Sequence, residues 1–127
     1  MGNILWVGLG GFIGSVFRYV LSGFVQELTR RADFPLGTLT VNILGCLVIG
    51  FLSQLAEARG AFSPETRAFV IIGILGGFTT FSSFGNETMN LWRDGEGYLA
   101  FVNVAAQLIL GLGAVWLGRT IGHKLWG

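Results

Sequence analysis

Apolar residues fall along this chain in four runs of about twenty, the length of helix that crosses the hydrocarbon of a bilayer, and the charged residues collect between the runs. The first run, 4–25, contains Arg18 as its only charge and gives way to the polar cluster QELTRRAD at 26–33. Without a basic start, a short apolar core or a small-residue cleavage site, it reads as a retained spanning helix rather than a cleavable leader. The second run, 36–56, holds no charge, is introduced by Pro35, a good helix-starting residue, and closes at EARG, 57–60. The third, 66–92, begins at SPETR, where Ser63 can cap, Pro64 takes the first helical position and Glu65 sits in the first turn. The fourth, 98–117, follows the turn RDGEG at 93–97. The pattern predicts an all-α membrane protein, a single four-helix transmembrane domain over 1–127 with no room for a separate soluble one.

Composition agrees: 52% of the residues are hydrophobic and 12% charged, where a soluble domain carries about 25% charge. Basic residues near the ends of spans usually set orientation. With both termini on one side, that side holds Arg59, Arg67, Arg119 and Lys124, and the other holds Arg30, Arg31 and Arg93. So small a bias fits a chain that inserts either way up, two copies meeting antiparallel about an axis in the membrane plane. It fits equally a single, weakly signalled orientation. Four helices from one chain enclose little water, so transport would require an oligomer. The pairs Gly10/Gly14, Gly73/Gly77 and Gly118/Gly122 are small-xxx-small signatures of close helix packing in lipid. GLGGFIG at 8–14 resembles a dinucleotide loop only superficially, since Ile13 stands where the last glycine belongs and no ribose-binding acid follows.

Polar groups inside the spans are costly in hydrocarbon and tend to face protein or a cavity. Thr38 and Asn42 share one face of the second helix, as Asn103 and Gln107 do on the fourth. For Asn103 and Gln107 an ordinary interhelical hydrogen bond stands beside a part in a polar path. The Asn42 amide has two donors to offer an anion without an ionised group. Arg18 lies deep in the first span, with a stem long enough to carry its guanidinium toward an interface. The stretch GGFTTFSSFG at 76–85 predicts a break in the third helix, because glycines weaken it and Thr79, Thr80, Ser82 and Ser83 can bond backbone carbonyls. Backbone freed at membrane depth survives only buried or lining a cavity, where its carbonyls suit a hard cation such as Na+. Beyond the break, Phe81 and Phe84 fall on nearly one face, and ring edges carry positive charge that could stabilise a small anion.

GTLTVNILG at 37–45 followed by GILGGFTTFSSFGNET at 73–88 resembles the Fluc (CrcB) family of bacterial fluoride channels, and the length, the four spans and the first-helix arginine match as well. The resemblance implies an antiparallel, dual-topology homodimer in the bacterial inner membrane that exports fluoride passively through two pores around a central structural Na+. It implies that Phe81 and Phe84 line the anion path with ring edges, that Asn42 donates its amide to fluoride, and that Thr38, Ser82 and Ser83 offer hydroxyls nearby. Backbone carbonyls of Gly76 and Thr79 from both subunits would hold the Na+. Arg18 corresponds to a residue at a pore entrance or in structural support. For Glu87, where the family also has an acid, a helix-surface or hydrogen-bonding role stands beside a part in permeation. The match is loosest in the fourth helix, at Asn103 and Gln107.

The mechanism expected is desolvation matched to a small, strongly hydrated anion, in a narrow path of neutral donors and ring edges with no ionised Lys or Arg at the constriction. The alternative is a small multidrug transporter of the four-helix, dual-topology type. That reading needs a carboxylate in the first helix, where this chain has Arg18 and no acid. A purely structural membrane protein is a further alternative. No enzyme is expected: the only histidine, His123, sits beside Lys124 at the polar tail, away from any serine and acid in one span. Cys46 is the only cysteine, so it forms no intramolecular disulfide and packs as a small apolar residue.

Overall fold

Each apolar run forms a helix, and each helix outruns the run that predicts it. The computed structural model describes residues 2–30, 33–60 and 62–126, so Arg31, counted above among the basic residues, lies outside the described residues. Helix α1 spans Gly2–Thr29, α2 spans Leu36–Arg59, α3 spans Pro64–Arg93 with an interruption, and α4 spans Gly97–Trp126. All four are long and apolar enough to cross a membrane. The 28 residues of α1 rise about 42 Å, close to the roughly 40–45 Å of a bilayer with its headgroups. Polar residues can therefore remain helical in the headgroup layer, where hydropathy no longer marks the helix.

The helix starts follow local chemistry. Ser63 Oγ accepts the Thr66 N–H at 3.1 Å, with Pro64 in the first turn. At α2 the expected starter Pro35 lies one position outside the helix, with no capping side chain of its own. The cap comes instead from the end of α1. Gln26 Oε1 accepts the Gly37 N–H at 3.0 Å and Gln26 Nε2 donates to the Phe34 carbonyl at 2.8 Å, clipping the α1–α2 connection closed.

Helix α1 packs on the first half of α3 and α2 on α4, and small residues set both approaches. A side-chain carbon at Gly14 would fall on the Ile74 carbonyl oxygen, and one at Gly118 on that of Leu47, so these backbones nearly touch. Across the remaining faces Phe12, Phe17, Phe24, Leu112 and Trp116 point outward, as lipid-facing side chains do.

The third helix breaks near its middle, as the sequence predicts. From Arg67 to Leu75 it winds as a π-helix, the Gly76 N–H reaching back to the Ile71 carbonyl, a widening found mostly at functional sites. The first half ends at Phe78, Thr79 and Thr80 are extended, and the second half runs Phe81–Arg93. Hydroxyls manage both new ends. Thr79 Oγ1 and its N–H both reach the Leu75 carbonyl at 3.0 Å, and Thr80 Oγ1 caps the second half by accepting the Ser83 N–H at 3.1 Å, a cap worth about 1 kcal/mol.

Candidate functional site

The break in α3 sits between two cavities, and Thr80 lines both. The outer one, a vestibule of about 800 Å³, opens toward the ends of the helices where α1 gives way to α2 and α3 to α4. Arg18, Asp33, Glu87, Asp94 and Glu96 put ionisable groups on its wall, beside Thr38, Ser83 and Asn90. The inner one, about 370 Å³, is lined by Asn42, Thr79, Thr80, Phe81, Phe84 and Gln107 among small and aliphatic residues, and no charged side chain borders it among the described residues.

The expected pair Thr38 and Asn42 is thus divided: one helical turn takes α2 from the vestibule to the inner cavity. Thr38 is buried and donates from Oγ1 to Glu87 Oε2 at 2.9 Å. Asn42 clasps the break itself. Its Oδ1 accepts the Thr80 N–H at 2.8 Å and its Nδ2 donates to the Thr80 carbonyl at 3.1 Å. A side-chain amide here gives an extended residue the two bonds that a helix no longer supplies, and without it both groups would be orphaned at membrane depth. The same Nδ2 also donates to Gln107 Oε1 at 3.1 Å, so its two hydrogens are both committed.

Phe81 and Phe84 meet edge to face, with ring centres 5.4 Å apart at 62°. Phe81 is 81% exposed, a large apolar surface at the very start of the second half of α3. Ser83 turns to the vestibule. Ser82 is exposed, 3.3 Å from the Thr80 hydroxyl, and lines neither cavity. Arg18 lines the vestibule and its Nε donates to the Gly77 carbonyl at 3.0 Å. A guanidinium there satisfies a carbonyl at the end of the first half of α3 and faces the negative end of that helix. Gly76 and Thr79, the expected carbonyl ligands of a cation, both line the inner cavity.

The sequence marks Thr80 only as one of the hydroxyl residues at the break, and leaves Gln107 undecided. Thr80 is one of four neighbouring hydroxyl residues, and only the dihedral angles at the break single it out. Gln107 carried a signal in being one turn from Asn103 within an apolar span. The two differ in the fold: Asn103 is fully buried, donating from Nδ2 to Thr88 Oγ1 at 2.9 Å, while Thr88 Oγ1 donates to the Phe84 carbonyl at 2.7 Å. This is the interhelical bond, and it tethers the turn that carries Phe84. Glu87 Oε1, Asn103 Oδ1 and Gln107 Nε2 are enclosed with no hydrogen-bond partner.

Known proteins of similar length match this chain in sequence. Residues 5–119 match the family described as CrcB-like protein, Camphor Resistance (CrcB). The fluoride-specific ion channel FluC of Methylobacillus flagellatus is 47% identical over 118 residues, 93% of this chain and 92% of the relative. FluC 3 of Methanosarcina barkeri is 44% identical over 121 residues, covering 95% and 90%. The FluC of Chlorobium chlorochromatii is 48% identical over 116 residues, covering 91% and 88%. With four spans, a third helix broken at the hydroxyl cluster and a match over nearly its whole length, the chain belongs to the CrcB-like family.

Proposed function

We propose that this multi-pass membrane protein is a fluoride channel that lets F− leave the cell passively through the bacterial inner membrane. The observation that carries the reading is the inner cavity: neutral amides, hydroxyls and two phenylalanine rings within the spans, with no charged side chain on its wall among the described residues. A fluoride ion stripped of water needs replacement donors, and neutral ones stabilise it without holding it as an ionised Lys or Arg would. Phe81 and Phe84 turn ring edges to the ion, Asn42 and its neighbours supply amide polarity, and Thr38, Ser83 and Glu87 line the approach from the vestibule. Ser82, which lines neither cavity in a single chain, would contribute only at a subunit contact. The names of the relatives support this substrate.

Phe81 and the inner cavity lie open on the single chain, which supports a second copy closing them. An antiparallel pair would use the balanced basic residues and give two paths. A structural Na+ at its centre fits the donors: the interrupted helix presents carbonyls of Gly76 and Thr79 at the negative end of its first half, and oxygen is the ligand that a hard cation takes. When bound, the ion would tie the two breaks together.

The test is halide efflux from liposomes reconstituted with purified protein. Fluoride efflux well above that of protein-free vesicles, with chloride retained, is expected. Equal loss of both halides, or of neither, overturns the proposal.

A further inference from the structure

The break imposes a direction on the amides around it. The Thr80 N–H must meet an acceptor and the Thr80 carbonyl a donor, so the Asn42 amide can sit only one way round, Oδ1 toward the N–H and Nδ2 toward the carbonyl. Nδ2 then faces Gln107, where a second NH2 group would repel it, so Gln107 turns Oε1 toward Asn42. That leaves Gln107 Nε2 with no partner in the chain, enclosed beside the inner cavity whose wall Gln107 forms. An enclosed, unpartnered NH2 is expensive, and an anion beside it would remove the cost.

We propose that Gln107 Nε2 is the amide that donates to the anion on the inner side of the break, and that Asn42 is a positioning residue: it holds Thr80 and, through Gln107 Oε1, fixes which end of Gln107 the ion meets. The proposal rests on reading the inner cavity as an anion path. It reassigns the donor within that path, because Asn42 has committed both of its Nδ2 hydrogens to Thr80 and Gln107, whereas Gln107 has two to give. The ligand it takes is a small hard anion with its water removed, fluoride first.

Two variants test it in liposomes, with efflux from protein-free vesicles subtracted at each pH and dimer elution and thermal unfolding followed in parallel. Gln107→Met keeps the length of the side chain and removes the donor, together with the oxygen that Asn42 bonds; fluoride efflux is expected to fall about ten- to a hundredfold, with stability lowered by no more than one unpaired amide hydrogen costs. Gln107→Glu keeps an oxygen for Asn42 to bond but presents a carboxylate to the cavity. Its efflux is expected to be low at pH 7.5 and to climb as the pH falls and the carboxyl gains a proton to donate, while the wild type and Gln107→Met stay flat. A merely structural Gln107 would give no such pH profile. Fluoride efflux equal to wild type in Gln107→Met, or a flat profile in Gln107→Glu, overturns the assignment and leaves the channel reading standing. A wild-type protein that passes no fluoride overturns both.

Discussion

The vestibule and the inner cavity lie on either side of one threonine, and chemically they are opposites. The outer wall carries Arg18, Asp33, Glu87, Asp94 and Glu96; the inner wall, among the described residues, carries amides, hydroxyls, rings, the Cys46 thiol and aliphatic groups. Charge is tolerable where water still screens it, and at the vestibule mouth Asp94 and Glu96 are exposed. Past Thr80 an ionised group would face low dielectric, at a cost of several kcal/mol, and would hold an oppositely charged ion strongly. On the proposed reading, an ion would exchange water for protein at the pair Asn42 and Thr80, where the third helix is interrupted.

Removing the division between the two cavities should have the largest effect. Asn42→Leu orphans the Thr80 N–H and carbonyl, at about 1–3 kcal/mol for each buried group left unsatisfied. A lower thermal unfolding temperature in detergent and loss of nearly all fluoride efflux are expected; an unchanged unfolding temperature would show that the break holds itself. Next come the rings. Phe81→Ile or Phe84→Ile keeps the cavity apolar but removes the polarised edge, along with an edge-to-face ring pair worth about 0.5–1.5 kcal/mol. About a tenfold drop in fluoride efflux is expected, with elution from a sizing column unchanged from wild type, and full efflux in both variants would end the aromatic role. Smallest is a change at the mouth. Glu96→Gln should alter efflux by about twofold or less at low salt and not at all at high salt, because a charge in contact with water is screened within about 10 Å at 0.1 M ionic strength. A large, salt-independent change there would mean that desolvation begins farther out than Thr80.

Much of this could be read in advance, for reasons that particular residues make plain. Apolar length alone gives four spans, since nothing but a helix satisfies its own backbone through so much hydrocarbon. Ser63, Pro64 and Glu65 start α3 by local chemistry, and their cap forms as expected. The break was legible because Gly76, Gly77 and the hydroxyls after them weaken the helix within a few residues of sequence. Pro35 introduces α2 at Leu36 as expected, but the cap belongs to Gln26, eleven residues before Gly37, the residue it satisfies. The π-winding from Arg67 to Leu75 carries no local signature in a run of ordinary apolar residues.

The sequence by itself determined how many times this chain crosses the membrane, where its helices begin, and that the third must come apart beside two phenylalanines. Those outcomes depend on hydropathy, caps and backbone preference, which act over a few residues. Only the tertiary structure decided that Asn42 would spend its hydrogens on Thr80 and Gln107, that Arg18 would reach the Gly77 carbonyl, and that Thr38 and Asn42 would face different cavities. Each of those bonds joins residues 38 to 65 positions apart or 59 apart, and which donor meets which acceptor is fixed when glycine faces bring the helices to backbone contact.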